Sequence, residues 1–474
     1  MRHSYALIFA IVLTSCVNKM TKVEAIASKD KNSRPNIIIV LTDDQGYGDV
    51  GFNGCKDIIT PNIDRIANNG VMFTNGYVSY SVCGPSRAGL ITGRYQDRFG
   101  FSRNPLFAPN DPNMGLPLSE ETLAEALSKV GYKNMAIGKW HLGAHESFRP
   151  LNRGFDEFYG FLSGGHNYFP EKLIRNNLSE VTSQFDAYNT KLLSNDSRVE
   201  EQDYLTDAFS REAVKFVERN HENPFFIYLA YNAPHGPLQA TEKYLNRFSH
   251  IKNKKRKTYA AMVSAVDDGV GELLDKLEEL NIDDNTLIFF LSDNGGPEKH
   301  NASDNAILRD GKGSLYEGGI RVPFALQWPG IIPKGLVYNK PIISLDIFAT
   351  VVSLADVTTK NQIDGVNLMP YLLNKNKEYP HEQMFWRMYD GKSLAIRSKN
   401  IKLVKYKSPE KQLYNLENDT SETTALNDSI LTIKLSCAYN EWNYKNLNPI
   451  FLGLKHDKQY DSLHVDRWNN IKKH

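Results

Sequence analysis

Carboxylate and amide side chains follow two strongly apolar segments of the sequence. Asp43 and Asp44 come after the first of these segments, and Asp293 and Asn294 come after the second. Adjacent acids repel one another unless a cation or solvent intervenes, and oxygen ligands of this kind suit calcium. Either pair taken alone is more typical of a turn. The spacing therefore leaves two interpretations open, a turn or a calcium site.

The most specific segment of the sequence is Cys83–Arg94, which reads CGPSRAGLITGR. Pro85 is favoured in the first turn of a helix, so we expect Cys83 just ahead of a helix. The free N–H groups and the positive end of such a helix attract anions. A buried packing thiol is the alternative, but it gives no reason for the flanking Pro, Ser and Arg. The segment predicts an anion site around Cys83.

Basic side chains follow two further apolar segments and lie in one glycine-rich block. Lys139 and His141 are two residues apart and would point the same way if the backbone stays extended. His235 follows another apolar segment, and Lys312 lies in the glycine-rich block. Each could instead be structural, as a salt-bridged lysine or a core histidine. Together with Cys83 they are suited to binding an anion and moving protons.

These segments resemble the type I sulfatases of the alkaline-phosphatase superfamily. The family signature is Cys or Ser, any residue, Pro-Ser-Arg and then Leu-x-Thr-Gly-Arg, and Cys83–Arg94 fills every fixed place. The family's Gly-Lys-Trp-His-Leu-Gly block is complete at 138–143, and its Ala-Pro-His segment ends at His235. Its Glu-Gly-Gly-x-Arg-Val-Pro block follows Lys312. The resemblance is strong over residues 34–323.

The resemblance implies a formylglycine at position 83 and a bound calcium ion. Formylglycine is an aldehyde that a formylglycine-generating enzyme makes from cysteine, and its hydrate supplies the hydroxyl that attacks sulfur. The family's single calcium ion per chain is held by residues that match Asp43, Asp44, Cys83, Asp293 and Asn294. Arg87 resembles the residue that pins the formylglycine.

The resemblance also assigns roles to the basic residues. Lys139, Lys312 and His235 would bind the sulfate oxygens. His235 would protonate the departing oxygen, a task suited to a side chain that titrates near neutrality. His141 would remove the second hydroxyl proton so that sulfate leaves and the aldehyde returns.

Substrate recognition beyond the sulfate carries a weaker signal. His166 could reach a sugar, and Trp386 with Arg387 could wall a subsite, with structural roles as the alternatives. Glu317 and Arg321 are expected to hold their loop rather than to react. The predicted activity is calcium-dependent removal of sulfate from a carbohydrate, with ulvan or carrageenan types favoured.

Two other functions remain open on the sequence. A phosphonate or phosphodiester hydrolase of the same superfamily could share the cysteine signature and the metal. A non-catalytic glycan-binding lipoprotein is the second alternative, but it would not need Lys139, His141, His235 and Lys312 intact.

Alternating strands and helices must position these residues. The predicted strands are apolar runs followed at once by polar clusters: Asn36–Leu41, Asn134–Ile137, Phe225–Tyr231 and Thr286–Leu291. Helices are predicted at Ser119–Val130 and Tyr259–Leu280, and another begins at Thr60-Pro61. Ligands sit beyond the carboxyl ends of strands in such sheets, so the polar clusters should converge on one crevice.

This alternation predicts an α/β fold with a mixed, mainly parallel sheet and helices on both faces, which the resemblance makes alkaline-phosphatase-like. Beyond about Gln362 the segments become short and alternating, which predicts a smaller antiparallel sheet with a terminal helix. We therefore expect a catalytic domain over residues 35–361 and a C-terminal α+β subdomain over residues 362–474.

The composition excludes several other classes of protein. The 474 residues are 41% apolar and 23% charged, which is typical of a globular chain rather than a disordered or polytopic membrane protein. With 56 Lys and Arg against 55 Asp and Glu, no overall field draws the chain to nucleic acid. Four cysteines are too few for a disulfide scaffold, and we expect Cys55 and Cys437 to be unpaired.

The N-terminus is typical of an exported bacterial lipoprotein. Arg2 precedes an apolar run, Tyr5–Leu13, that is shorter than the roughly 20 residues needed to span a bilayer. Small residues before Cys16 resemble a lipobox, so we expect a signal peptide over 1–15, lipidation of Cys16 and a tether over 16–34. The lipid would be the only membrane contact, at the periplasmic side of the outer membrane or at the cell surface. A plain secretory signal is the alternative.

Overall fold

The computed structural model of the chain describes residues 34–176 and 178–468. The predicted signal peptide, the lipidation site at Cys16 and all of the tether before Arg34 lie outside these residues. Within them, no helix combines the length and the apolar character needed to cross a bilayer. From Pro35 onward the chain forms one compact unit.

The strands of the described residues belong to three sheets. In chain order they are β1 (Asn36–Thr42), β2 (Val71–Phe73), β3 (Gly76–Tyr77), β4 (Lys133–Lys139), β5 (Glu157–Phe161), β6 (Leu192–Ser194), β7 (Ser197–Val199), β8 (Phe225–Ala230), β9 (Thr286–Ser292), β10 (Phe324–Gln327), β11 (Leu336–Tyr338), β12 (Ile342–Ile343), β13 (Met384–Met388), β14 (Ser393–Ser398), β15 (Ile401–Lys405) and β16 (Gln412–Asn415).

The α-helices of the described residues alternate with these strands over the first three quarters of the chain. They are α1 (Pro61–Asn68), α2 (Cys83–Thr92), α3 (Leu123–Ser128), α4 (Leu205–Asn220), α5 (Glu242–Leu245), α6 (Lys254–Glu279), α7 (Glu298–Asn301), α8 (Glu317–Ile320), α9 (Leu345–Leu354), α10 (Met369–Leu372), α11 (Ser429–Tyr444) and α12 (Asp457–Leu463).

The large sheet has ten strands in the order β11-β2-β10-β9-β1-β8-β4-β5-β6-β7. Its centre, β9-β1-β8-β4-β5, is parallel throughout. Antiparallel strands β10 and β6 continue it on either side. This is the mixed, mainly parallel sheet that the sequence predicts, and the four predicted strands lie consecutively at its centre in the order β9-β1-β8-β4.

Both faces of the central sheet are buried, as continuous apolar strands require. In β1, Ile37, Ile39 and Leu41 point into a hydrophobic cluster that includes residues of α2, α3 and α9. Ile38 and Val40 point into a second cluster that includes residues of α1, α4 and α6. The alternation of side chains along a strand thus places helices on both faces and confirms the predicted layers.

Two helices differ in length from the prediction because of their capping residues. The helix predicted from Ser119 starts only after Thr122, whose side chain accepts a hydrogen bond from the Glu125 N–H in a capping box. The helix predicted from Tyr259 starts earlier, because Asn253 caps it by accepting from the N–H groups of Lys255 and Arg256.

The four-stranded antiparallel sheet β13-β14-β15-β16 forms near the predicted position and packs on the first part of the chain. Trp386 is fully buried and donates a hydrogen bond from Nε1 to the carbonyl of Val78. Arg387 donates from Nε to Asp97 at 2.9 Å and is also buried. The prediction that these two residues wall a sugar subsite is therefore wrong, since both hold the small sheet in place.

A buried ion cluster joins the small sheet to the segment that carries Lys312. Lys402 of β15 lies 2.9 Å from Glu317 and 2.9 Å from Glu422, and all three side chains are fully buried. Burial raises the pKa of Glu317, but Lys402 and Arg397 outweigh it and lower that pKa to about 2. Burial and the charge of Glu317 raise the pKa of Glu422 to about 7 despite Lys402. Glu317 thus holds its loop, as predicted.

Replacing Lys402 with Ala should lower the free energy of unfolding by about 3–5 kcal/mol, because it leaves the buried Glu422 carboxylate without a cation and leaves Glu317 only Arg321 and Arg397, at 3.5 and 3.9 Å. The loss should be smaller at about pH 5 than at about pH 8, since the Glu422 carboxyl, whose pKa is already raised, is then neutralised by protonation. Urea unfolding followed by tryptophan fluorescence measures the effect. Lys399→Ala, at an exposed site nearby, is the control and should change stability by less than about 0.5 kcal/mol. Equal losses in the two variants would contradict this account.

Candidate functional site

The polar residues that follow the four parallel strands β1, β4, β8 and β9 line one crevice at the carboxyl ends of these strands. Backbone hydrogen bonds link their exits: the N–H of Asp293 donates to the carbonyl of Thr42, and the N–H of Asp43 donates to the carbonyl of Ala233. Lys139 ends β4, and His235 follows β8 by a few residues. The convergence predicted from the sequence is therefore what the fold produces.

Three carboxylates and one thiol lie close enough to share a cation. One ligand atom each from Asp43, Asp44, Cys83 and Asp293 lies within 4.8 Å of the others, and all four residues are buried. Asn294 donates from Nδ2 to Asp44 at 2.7 Å, while its own buried Oδ1 has no partner. A hard cation would satisfy that oxygen and neutralise the carboxylates, so the residues fit the predicted metal.

Two lysines approach these carboxylates from opposite parts of the chain. Lys139 is fully buried and lies 2.5 Å from Asp43. Lys312 lies 2.6 Å from Asp44 and 3.2 Å from the Cys83 sulfur, and its side chain keeps 19% exposure. Burial opposes the charge of both lysines, but the neighbouring acids raise the pKa of each. Both therefore carry a fixed positive charge beside the thiol.

Arg87 connects the helix that starts at Cys83 to two strand ends. Its guanidinium donates from Nε to Asp293 at 2.9 Å and from Nη1 to the carbonyl of Lys139 at 2.9 Å. Asp43 lies 3.7 Å from Nη2. Arg87 thus orients Asp293 and the end of β4, whereas its predicted role was to hold the modified cysteine.

Cys83 is the first residue of α2 rather than the residue before it. Burial raises the pKa of its thiol to about 12, although Lys139 and Lys312 favour the thiolate. The N–H of Gly84 is taken by Asn104 Oδ1 at 2.8 Å, and Pro85 has no N–H. Attraction of an anion at this end therefore comes from the helix dipole and the lysines rather than from these N–H groups. The protonated thiol itself is a poor nucleophile.

His235 presents one ring nitrogen to the carboxylate cluster. Its Nδ1 lies 2.7 Å from the carbonyl of Gly236, and because a carbonyl only accepts, Nδ1 carries the proton. Nε2 lies 3.7 Å from Asp44. Burial lowers the pKa of His235, while Asp43 and Asp44 favour its charged form. The Tyr168 hydroxyl, which the sequence does not single out, lies 2.7 Å from the carbonyl of His235 and fixes this loop.

His141 is close to the same site, but its backbone is not extended. Its φ is 57°, so the chain turns through the left-handed region directly after β4, contrary to the prediction. Its Nδ1 is buried without a partner. Burial, Lys139 and Arg87 hold the pKa of His141 well below its usual value, which makes it a neutral base. A Cβ on Gly164 would lie 2.8 Å from Nε2, so this approach requires glycine there.

His166 lies in the neighbouring loop but faces the interior. Its side chain is fully buried and stacks on Phe161, with ring centroids 4.6 Å apart. Nδ1 lies 3.0 Å from the carbonyl of Asn167, and Nε2 lies 3.4 Å from Thr190 Oγ1. Burial lowers its pKa to about 4. The expectation that His166 contacts a sugar is therefore corrected, since both ring nitrogens are used within the loop.

Comparison with known proteins places this geometry in a family. The chain matches the sulfatase family over residues 35–357, and it matches the family described as N-sulphoglucosamine sulphohydrolase, C-terminal, over residues 310–439. N-acetylgalactosamine-6-sulfatase from Homo sapiens is 36% identical in an alignment of 358 residues that covers 72% of this chain. The chain spans 66% of the length of that relative.

Two solved structures are similar over most of the chain. Ps i-CgsB in complex with k-i-k-neocarrahexaose is 40% identical with a TM-score of 0.85, covering 92% of this chain and 100% of that one. The PsFucS1 sulfatase from Pseudoalteromonas sp. is 27% identical with a TM-score of 0.72, covering 97% of this chain and 95% of that one. The alkaline-phosphatase-like fold that the sequence predicts is thereby confirmed.

Adding calcium to metal-free protein should raise its unfolding temperature by about 3–5 °C, because a ligand at about 100 times its Kd contributes about 2.7 kcal/mol. Magnesium should raise it less, since it gives up its waters reluctantly. Asp44→Asn and Asn294→Ala should lose most of the shift in differential scanning fluorimetry. Asp275→Asn, at an exposed helix site, should retain it. Equal shifts in all three variants, or none in the parent protein, would rule out a cation at this cluster.

Proposed function

The chain belongs to the sulfatase family, and we propose that it removes sulfate from a sulfated carbohydrate by means of calcium and a formylglycine at position 83. The observation that carries this proposal is the surroundings of Cys83. Its sulfur lies 3.2 Å from Lys312 and 3.6 Å from Asp43, within a set of three buried carboxylates and three cationic side chains. Such a set suits the transfer of an anionic group at a modified residue.

The two groups implied by the family would supply what the side chains lack. Asp43, Asp44, Asp293 and Asn294 would hold calcium, which supplies positive charge to oxygens on the transferring group. The hydrated aldehyde would supply a hydroxyl nucleophile in place of a thiol whose pKa is raised to about 12. A formylglycine-generating enzyme is therefore a required partner.

The side chains around position 83 divide the remaining tasks. Lys139 and Lys312 bind the sulfate oxygens as point charges, and the acids beside them hold them in place. His235 directs Nε2 into the site and delivers a proton to the leaving oxygen in its charged form. Burial lowers the pKa of His235, and Asp43 and Asp44 partly offset this by favouring the charged form. His141, kept neutral, accepts a proton at the later step that frees sulfate.

For the substrate we propose a sulfated galactan of the carrageenan type, ahead of ulvan. The similarity to Ps i-CgsB, whose structure contains k-i-k-neocarrahexaose, supports this choice. The identity of 40% extends over 92% of the chain, so it includes the parts that surround the catalytic crevice. Screening wild-type protein on defined carrageenan and ulvan oligosaccharides tests it.

The alternatives from the sequence can be separated by one set of substrates. A phosphonate or phosphodiester hydrolase would turn over phosphorus esters faster than matched sulfate esters. A non-catalytic glycan-binding lipoprotein would turn over neither. The intact set of Lys139, His141, His235 and Lys312 around Cys83 favours catalysis over binding alone.

Protein produced together with a formylglycine-generating enzyme should carry the aldehyde at position 83 and hydrolyse an aryl sulfate. Peptide mass spectrometry measures the aldehyde fraction, and sulfate release measures activity. The rate should rise in proportion to that fraction, because the thiol alone is protonated and weakly nucleophilic. Cys437→Ala, at an exposed free cysteine, is the matched control. Full activity in protein whose Cys83 is entirely thiol would refute the mechanism.

Lys139→Ala and Lys312→Ala should each lower kcat/KM by at least about a hundredfold, the scale of losing one donor to the transition state. The loss should appear mainly in kcat, because charge builds on the transferring group only during the reaction. Lys133→Ala, at the exposed start of the same strand as Lys139, should keep its rate. Steady-state kinetics with saturating calcium and circular dichroism of each variant provide the test. Near-parental rates for both site variants would remove the lysines from the proposed sulfate site.

A further inference from the structure

A second cavity, of about 330 Å³, opens directly beside the sulfate site. Val82, which precedes Cys83, and Gly313, which follows Lys312, both line it. Gly313 is held between Ser81 and Tyr406, because its N–H donates to the carbonyl of Ser81 and its carbonyl accepts from the Tyr406 hydroxyl. The volume of the cavity is at the lower end of the range of ligand pockets, which is roughly 300–1,000 Å³. The cavity wall thus includes the sequence neighbours of two residues of the sulfate site, Cys83 and Lys312.

The outer wall of this cavity comes from the C-terminal tail. Gly453 forms a β-bridge with Pro105, and the N–H of Leu454 donates to the carbonyl of Asn104 at 3.1 Å. Asn104 also accepts from the Gly84 N–H at 2.8 Å, next to Cys83. A Cβ on Gly453 would lie 2.5 Å from the Arg103 Cβ, so this close approach of the two segments requires glycine. The tail residues that follow Gly453 therefore have a fixed position relative to Cys83.

The cavity wall carries Arg103, Lys407 and Lys455 against one carboxylate, Asp390, so its positive charge is only partly compensated. Arg103 is paired with Asp390, both oxygens of which lie 3.1 Å from its Nε. Lys407 lies 3.4 Å from Asp310 in a pair whose lysine is 70% exposed. Lys455 lines the cavity, and no described residue forms an ion pair with it.

We propose that this cavity is a second anion subsite, at which Lys455, assisted by Lys407, binds a further sulfate group on the same oligosaccharide. The proposal rests on the proposed function, because the first sulfate would occupy the site at Cys83. The anionic oxygens of a sulfate ester match an uncompensated ammonium. Tyr406, which also lines the cavity and is half-buried, offers apolar surface for a sugar ring.

The exposure of Lys455 determines which kinetic constant it affects. It lies outside the buried cluster and touches a group that does not change during the reaction. Its attraction is therefore the same in the bound substrate and in the transition state, so it lowers KM without changing kcat. Salt should weaken this contribution, since exposed charges are screened at about 10 Å in 0.1 M salt.

The test uses matured, full-length protein with Lys455→Glu and Lys458→Glu. Lys458 is exposed, lies three residues further along the tail and does not line the cavity, so it is a matched control for charge reversal. The substrates are two oligosaccharides that share the scissile sulfate and differ by one sulfate on the adjoining sugar, and an aryl sulfate. Lys455→Glu should raise KM for the more sulfated oligosaccharide about tenfold, with kcat, the other two substrates and the Lys458→Glu variant unchanged.

Two results would overturn the subsite: equal changes in KM for both oligosaccharides, or no change for either. If wild-type protein turns over none of the substrates, the proposed function fails, and isothermal titration calorimetry then decides on the subsite alone. Tighter binding of the more sulfated oligosaccharide to wild type, lost in Lys455→Glu, would support it. Equal dissociation constants, or no binding of either oligosaccharide, would refute it.

Discussion

Charge compensation of the buried Asp43 carboxylate is the constraint on which the rest of the site depends. The side chain is fully buried, and an isolated carboxylate there would be strongly disfavoured. Lys139 lies 2.5 Å away and Arg87 lies 3.7 Å away, and they outweigh burial to hold the pKa of Asp43 low. Asp43 directly follows β1, Lys139 ends β4, and Arg87 lies in the first half of α2. Stable burial of Asp43 therefore requires two strand ends and one helix start to meet at the same level.

The same requirement extends outward through shared acids. Arg87 also pairs with Asp293 at 2.8 Å, which fixes the end of β9. Lys312 compensates Asp44, and its segment is anchored at Glu317 by Lys402 of the small antiparallel sheet. The small sheet therefore does more than cover the crevice. It determines where the second lysine of the sulfate site lies, so the C-terminal part of the chain and the central sheet act as one body.

The sequence predicts this arrangement wherever a residue's role follows from its place at a strand end. Apolar runs that end in Asp43 or Asp293 locate both the sheet and the crevice, because parallel strands must present their carboxyl ends together. The inward turn of His166 could not be predicted, since it depends on how the loop packs the ring against Phe161 and Thr190. The burial of Trp386 could not be predicted either, since it depends on a contact with Val78, far along the chain. The role of Asn104 is hidden for the same reason, because it joins Gly84 to the tail at Leu454.

The lysines of the crevice and the lysine of the tail act at different stages: those of the crevice stabilise the transition state, and that of the tail strengthens substrate binding. Lys139 and Lys312 sit against carboxylates that fix their position, so they are preorganised for charge that develops at sulfur. Lys455 is exposed and unpaired within the described chain, so it can add only attraction that is constant through the reaction. The family matches end at residue 439, before this tail. A chain built this way can change which oligosaccharide it selects through its tail without disturbing the buried charges that carry out the chemistry.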